Sequence, residues 1–190
     1  PVLPSGGQSS WKTPYQDVAT SSSYYEAVCY VTEKGLMNGT SASTFSPDAA
    51  MTRAMMVTIL WRMEKEPAAL KSNFTDLTAD WYRTAVDWAA ETGVVNGVGN
   101  GKFAPNATLS LEQLITILYR YAENKGYNVS KSASLDSFTD GSAVSAYARS
   151  AMQWAVGMNF LSGNTLTPGA PASRAQIAQV LMLFCKAYIK

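Results

Sequence analysis

Two arginines occupy matching places in the helical pattern of this chain, and they are the side chains best suited to binding a ligand. Arg53 follows Thr52 and Arg174 follows Ser173, so each arginine comes directly after a hydroxyl residue of the kind that caps helices. A planar guanidinium binds a carboxylate through two parallel hydrogen bonds, which a lysine ammonium cannot do. A first-turn position would also place each arginine beside unpaired N–H groups and the positive end of a helix dipole. The pattern is compatible with an anion site or with a surface arginine paired with an aspartate, and both interpretations stay open at this point.

Catalytic and metal-binding motifs are scarce. The 190 residues include no histidine, which excludes Ser-His-Asp and Cys-His catalytic groups and imidazole-bound zinc. Asp136 and Asp140 lie four residues apart but lack the pattern of a calcium-binding loop. We therefore expect no catalytic residue, no metal site and no cofactor. The enzymatic alternative is a glycosidase that uses carboxylates alone, with Glu91 and Glu112 as candidates.

Composition limits the partners. The chain carries 15 Lys+Arg and 14 Asp+Glu, a net charge of +1, so it lacks the basic surface that binds nucleic acid. Hydrophobic residues make up 47% of the chain, enough for a core, yet no stretch approaches the roughly 18 apolar residues of a membrane span. Cys29 and Cys185 could form a disulfide between the first and last helices, but their apolar surroundings favour two buried thiols.

One motif recurs three times in the same order. The segments 27–39, 85–97 and 151–163 resemble one another; each follows an aromatic-x-Asp triplet and precedes an x-Pro turn, after which a hydroxyl residue opens a second helix. The order predicts an all-α fold of three helix-loop-helix repeats at 13–69, 70–133 and 134–190, after a tail at 1–12. Because one helix pair cannot cover its own apolar faces, we expect the three repeats to pack together.

Helical periodicity marks the faces that these helices bury. In the opening helices Asp80 is a candidate cap, and Gly35, Gly93 and Asn159 stand where a left-handed C-cap residue is favoured. The closing helices are expected to begin after Thr52, Ser110 and Ser173. The predicted core stripes are Trp81, Ala85, Trp88 and Ala89; Tyr147, Ala151, Trp154 and Ala155; Met56, Ile59, Leu60 and Met63; Leu114, Ile117, Leu118 and Tyr121; and Ile177, Val180, Leu181 and Phe184.

Other repeated residues have two interpretations each. The aspartates of the triplets can hold a turn by accepting backbone N–H groups, or they can orient an arginine; they are Asp17, Asp76 and Asp140. The glycines at the ends of the motif supply backbone freedom or allow a sugar to approach closely; they are Gly39, Gly97 and Gly163. Trp81 and Tyr82, near a helix start, are the better candidates for stacking on a sugar, whereas Trp88 is expected in the core.

The repeated order of motifs resembles the S-layer homology family over residues 13–188, nearly the whole chain. The resemblance implies a pseudo-threefold, three-pronged helical unit that anchors bacterial surface proteins to the cell wall. Grooves between neighbouring repeats would bind an acidic secondary cell-wall polysaccharide, often a pyruvylated one, through Arg53, Arg174 and the repeated aspartates and glycines. The family's arginine is replaced by Leu111 in the second copy, so at most two arginine-bearing grooves are expected.

The resemblance therefore predicts a non-catalytic, extracellular module within a larger surface protein. Its expected partner is an acidic cell-wall polysaccharide, without nucleic-acid binding or membrane insertion. The main alternative is a scaffold that docks another surface protein through apolar faces; high salt would weaken charge-dominated sugar binding but not such an interface.

Overall fold

A computed structural model describes residues 12–189, and this part of the chain is all-α. The helices are α1 (Tyr25–Glu33), α2 (Arg53–Met63), α3 (Asp80–Glu91), α4 (Leu111–Asn124), α5 (Arg149–Gly157) and α6 (Arg174–Tyr188). Short 3₁₀ turns at Gly141–Ala143 and Ala146–Ala148 precede α5. The all-α class and the three repeats are confirmed. Of the predicted tail, residues 1–11 lie outside the described residues.

The closing helices begin where the hydroxyl residues predicted. The side chains of Thr52, Ser110 and Ser173 accept the backbone N–H groups of Met55, Gln113 and Gln176 at 3.3, 3.3 and 3.2 Å. These bonds satisfy N–H groups that a helix start leaves unpaired.

The predicted cap of α3 is wrong. Asp80 is the first residue of α3 and caps nothing; its carboxylate lies 3.8 Å from Nε of Arg83. The hydroxyl of Tyr82 instead accepts the N–H groups of Thr78 and Ala79 at 3.2 and 3.3 Å. A buried tyrosine thus holds the two residues before the helix, and no described side chain accepts the N–H groups that an N-cap would bind.

The opening helices end as predicted. Gly35, Gly93 and Asn159 all adopt positive φ, at +67°, +74° and +59°. These are the residue types that tolerate the left-handed conformation at a helix C-terminus. A backbone requirement therefore explains why the third copy can carry asparagine in place of glycine.

The described residues form two compact units. One combines residues up to Ala49 with those from Ser173 onward, and in it α1 packs against α6; the other is Ala50–Ala172, in which α2 packs against α3 and α4 against α5. In both units, a closing helix therefore packs on the opening helix of a different repeat. No described helix is both long and apolar enough to span a membrane.

The predicted stripes form the cores of these units, apart from their ends. Ala85, Trp88, Ala89, Trp154 and the inward positions of α4 and α6 are buried, but Trp81 and Tyr147 are 52% and 54% exposed. Tyr147 lies in a 3₁₀ turn because α5 begins only at Arg149. Cys29 and Cys185 are buried free thiols, and burial raises the pKa of Cys185 to about 11.

Candidate functional site

The three repeated aspartates hold three equivalent turns. The residue before each turn proline, Ser46, Ala104 or Thr167, has a φ of +50° to +58°, a conformation that costs a non-glycine residue about 1–2 kcal/mol. Each aspartate offsets this strain by accepting two backbone N–H groups of its turn. The bonds run to Asp17 from Phe45 and Ser46 (2.8 and 2.7 Å), to Asp76 from Phe103 and Ala104 (2.9 and 2.7 Å), and to Asp140 from Leu166 and Thr167 (2.8 and 2.7 Å).

These bonds keep the aspartates ionised. Burial raises the pKa of Asp76, but the N–H groups of Phe103 and Ala104 outweigh it, so the pKa lies below its ordinary value of 3.8. The same balance lowers the pKa of Asp17, and for Asp140 the backbone hydrogen bonds are the largest cause. Both oxygens of each carboxylate accept a backbone N–H group of the same repeat. This arrangement agrees with the interpretation that these aspartates hold turns.

The two arginines clamp the same kind of turn. Nε of Arg53 donates to the Phe103 carbonyl at 3.0 Å, Nη2 donates to the Asn96 carbonyl at 3.1 Å, and Cζ lies 4.7 Å from the centre of the Phe103 ring. In the other unit Arg174 donates to the carbonyls of Phe45 and Asn38, with Cζ 4.5 Å from the Phe45 ring. Neither guanidinium lies within 4.0 Å of a described carboxylate. Pairing with a surface aspartate is therefore not their role.

The expectation that the helix starts leave N–H groups unpaired for an anion is wrong. The N–H groups of Arg53 and Ala54 donate to the carbonyls of Ala107 and Pro105, both at 3.0 Å. The starts of α4 and α6 are bonded in the same way to carbonyls of Ala170 and Pro168, and of Ala49 and Pro47. Because these donors are occupied, any charge recognition at the site falls to side chains.

A small pocket lies beside Arg53 in the second unit. It has a volume of about 50 Å³ and brings together Arg53, Arg120 and Tyr147; Gln113 and Thr116 also line it. Arg120 forms no hydrogen bond or ion pair with any described residue. Burial lowers the pKa of Arg53, and the nearby Arg120 lowers it further, although Tyr147 and Asp76 act in the opposite direction. The pocket therefore presents two positive charges close together, and no described carboxylate lies within 4.0 Å of either guanidinium.

Tyr147 is fixed at the edge of this pocket by Glu112. The Tyr147 hydroxyl donates to Oε1 of Glu112 at 3.0 Å, and Ser145 donates to Glu112 through its N–H at 3.0 Å and its hydroxyl at 2.8 Å. Burial and the bond to Glu112 raise the pKa of Tyr147 to about 12, so the phenol stays neutral. More than half of Tyr147 nevertheless remains exposed, so a ligand at the pocket could contact it.

The remaining predicted site residues lie in different environments. Trp81 is exposed, with its ring edge-on to Tyr82 at 4.9 Å, whereas Tyr82 is only 1% exposed and has no face for a sugar. A Cβ on Gly39 would lie 2.4 Å from the Tyr15 ring, and a Cβ on Gly97 would lie 2.7 Å from the Phe74 ring. Gly163 has open space around it but a φ of +112°.

Sequence reasoning missed Arg120, Gln113 and Tyr147 as pocket residues. The repeats hold a signal for two of these residues: Tyr147 stands at the repeat position of Trp81, and Arg120 stands at that of Arg62. Arg62 is not equivalent in its contacts, because its Nε lies 3.8 Å from Glu66. Only the folded chain brings Arg120 and Tyr147 to Arg53.

Known proteins resemble this chain over part of their length. An endoglucanase of Bacillus sp. (strain KSM-635) is 31% identical over 175 residues, which cover 88% of this chain and 18% of the endoglucanase. The surface-layer 125 kDa protein of Lysinibacillus sphaericus is 31% identical over 162 residues, covering 82% of this chain and 13% of that protein. A cellulosome-anchoring protein of Acetivibrio thermocellus is 26% identical over 108 residues, covering 54% of this chain and 24% of that protein. The chain thus spans less than a quarter of each of these relatives.

The S-layer homology domain family matches the chain three times, at residues 14–55, 73–115 and 137–178. Each match contains one aromatic-x-Asp triplet, one turn proline and the start of one closing helix. The matched segments cover more than half of the chain and coincide with its repeated turns and helix starts, so this chain belongs to the S-layer homology domain family.

Proposed function

We propose that this chain is a non-catalytic module that attaches a larger protein to the bacterial cell wall by binding an acidic polysaccharide. Membership of the S-layer homology family, with surface-layer relatives, indicates an extracellular location at the cell surface. The observation that carries the proposal is the pocket in which Arg53 and Arg120 converge, with no described carboxylate within 4.0 Å of either guanidinium. The similarity to an endoglucanase covers only 18% of that enzyme, so we do not assign the enzyme's activity to this chain.

The size of the pocket suits one acidic substituent rather than a whole sugar. Its volume of about 50 Å³ exceeds the roughly 10–15 Å³ that a cavity needs to hold one water molecule but falls far below the roughly 300 Å³ of typical ligand sites. A carboxylate would enter between the two guanidiniums, and its sugar ring would remain outside, against the exposed face of Tyr147. A pyruvyl group is one substituent that carries such a carboxylate.

Arg53 is held ready for this contact. Two of its five N–H groups are used by the Phe103 and Asn96 carbonyls, and the Phe103 ring supports one face of the guanidinium. The remaining donors need little reorganisation, so less side-chain entropy is lost on binding. Arg174 is clamped in the same way in the other unit and is our second candidate for an acidic group.

The decisive experiment is co-sedimentation of the purified chain with cell-wall sacculi. We expect Arg120→Gln to weaken binding by about tenfold or more, because a charge-assisted hydrogen bond contributes roughly 1.5–3 kcal/mol. Arg120 forms no hydrogen bond or ion pair with a described residue, so this variant should unfold like the parent. Lys131→Gln, which also removes one positive charge from an exposed residue of the same unit, is the matched control and should bind normally.

A second arm uses sacculi whose polysaccharide has lost its acidic substituents. These sacculi should fail to retain the parent chain, and moderate salt should weaken its binding to untreated sacculi. If Arg120→Gln and the double variant Arg53→Ala/Arg174→Ala both bind sacculi as well as the parent chain does, the arginines have no role in the mechanism. Binding that resists high salt and loss of the acidic groups would favour an apolar protein-docking surface instead.

A further inference from the structure

A larger cavity lies in the second unit, away from the arginine pocket. It has a volume of about 380 Å³ and forms between α3 and the extended segment 70–74. Leu70, Phe74 and Ala90 supply apolar lining, and Asp87 and Glu91 supply two carboxylates. It shares no lining residue with the pocket of Arg53 and Arg120. Its chemistry is also opposite, because acidic groups would repel the anion proposed for that pocket.

The two carboxylates are hydrogen-bonded but not neutralised. Oδ1 of Asp87 accepts the N–H and the hydroxyl of Ser72 at 3.0 and 2.5 Å, and Oε2 of Glu91 accepts the N–H of Leu70 at 3.0 Å. These donors are uncharged. No described Lys or Arg nitrogen lies within 4.0 Å of either carboxylate, including that of Lys71, which also lines the cavity.

Asp87 is the unusual member of this pair. Asp87 is only 7% exposed. Burying a carboxylate without a neighbouring cation costs folding free energy. Among the described residues, the one enclosed side-chain polar atom that lacks a hydrogen-bond partner is Oγ1 of Thr32. Oδ2 of Asp87 accepts no described hydrogen bond and is therefore not fully enclosed, and Asp87 is one of the residues that line the cavity. A cation entering there would meet a carboxylate already oriented by Ser72.

We infer that this cavity binds an aliphatic primary ammonium on a short hydrocarbon chain, such as a lysine side chain. The ammonium would lie between Asp87 and Glu91, which stand four residues apart on one face of α3. The hydrocarbon chain would cover Leu70, Ala90 and Phe74, whose ring can also attract a cation. This inference does not depend on the proposed polysaccharide binding.

The test is an NMR titration of the full ¹⁵N-labelled chain with Nα-acetyl-lysine-N-methylamide. We expect saturable shifts of the amide signals of Ser72, Ala90 and Gly101, which line the cavity, at millimolar ligand. The norleucine analogue, which keeps the hydrocarbon but lacks the ammonium, should bind at least about fivefold more weakly because it cannot form the charge-assisted bonds. Equal binding of both ligands, or no saturable shift with the lysine analogue, would overturn the inference.

Charge-removing variants complete the test. Glu91→Gln keeps an oxygen for the Leu70 N–H and lies on the exposed side of the helix, so it should fold and bind the lysine analogue about fivefold more weakly. Asp87→Asn keeps an oxygen for Ser72 and should have the larger effect. Asp80→Asn, on the same helix outside the cavity, is the control. If Glu91→Gln binds like Asp80→Asn, the inference fails, whatever the stability of Asp87→Asn. Neither cavity variant should change retention on sacculi.

Discussion

The start of α2 and the start of α4 solve the same packing problem with different side chains. Both helices donate their first two N–H groups to the carbonyls of an x-Pro turn, Arg53 and Ala54 to one turn and Leu111 and Glu112 to the other. Arg53 stacks on Phe103, whereas Leu111 and Leu166 hold the corresponding sequence positions and are 4% and 3% exposed. The backbone docking therefore does not need the arginine. What Arg53 adds is a positive charge in the pocket beside the start of α2, which Leu111 cannot supply at the start of α4.

Breaking the turn itself should have the largest effect at both junctions. Asp76→Ala removes the acceptor of two N–H groups from a turn that Ala104 holds at positive φ, and we expect it to lower the free energy of unfolding by about 3 kcal/mol. Urea denaturation measures this loss. Asp140→Ala should destabilise the chain in the same direction, because its turn is built alike. If only one variant is destabilised, the two junctions do not share a scaffold.

Converting the α2 junction into the α4 type should separate binding from folding. We expect Arg53→Leu/Phe103→Leu to lower the free energy of unfolding by about 2 kcal/mol, because two carbonyls lose their donor. The same variant should lose at least about tenfold in retention on sacculi. Circular dichroism and co-sedimentation give the two readouts, and Lys131→Gln serves as the charge control. Normal retention by a folded variant would contradict the role we give to Arg53.

Acid should reproduce part of the effect of Asp76→Ala. The folded-state pKa values of Asp17, Asp76 and Asp140 lie below the ordinary value of 3.8, so the native state releases these protons more readily than the unfolded chain. Their contribution to stability is present above that ordinary value and is lost as pH falls through the lower folded-state pKa. Urea midpoints measured from pH 6 to pH 3 should decrease, and the decrease should be smaller in Asp76→Asn. An identical slope in that variant would show that other groups dominate.

Loosening the edge of the pocket should have the smallest effect. Tyr147→Phe removes one hydrogen bond to Glu112, which keeps both bonds from Ser145. We expect the free energy of unfolding to fall by about 1 kcal/mol or less and retention on sacculi to change by less than about threefold, because the ring face remains. A tenfold loss of retention would instead assign the hydroxyl to the ligand.

Much of this architecture was readable from the repeated pattern. Hydroxyl residues before apolar periodicity marked the starts of α2, α4 and α6, and Gly35, Gly93 and Asn159 marked the left-handed ends of opening helices. These features are local, because a capping side chain or a positive φ acts within a few residues. The failures lay at the starts of helices. Asp80 is not a cap because Tyr82 bonds to the residues just before α3. Tyr147 precedes α5 and bonds to the distant Glu112, and the first N–H groups of the closing helices bond to distant turn carbonyls.

The sequence by itself determined the all-α repeats, the positions of the x-Pro turns and the two arginines that distinguish two helix starts from the third. Only the tertiary structure decided that the first N–H groups of the helices are occupied, that Arg120 lies near Arg53, and that Glu112 orients Tyr147. It also placed Asp87 and Glu91 at a cavity where no described Lys or Arg nitrogen lies within 4.0 Å of either carboxylate. The physical reason is range: capping and helical periodicity act over a few residues, whereas a binding pocket is made by side chains that only folding brings together.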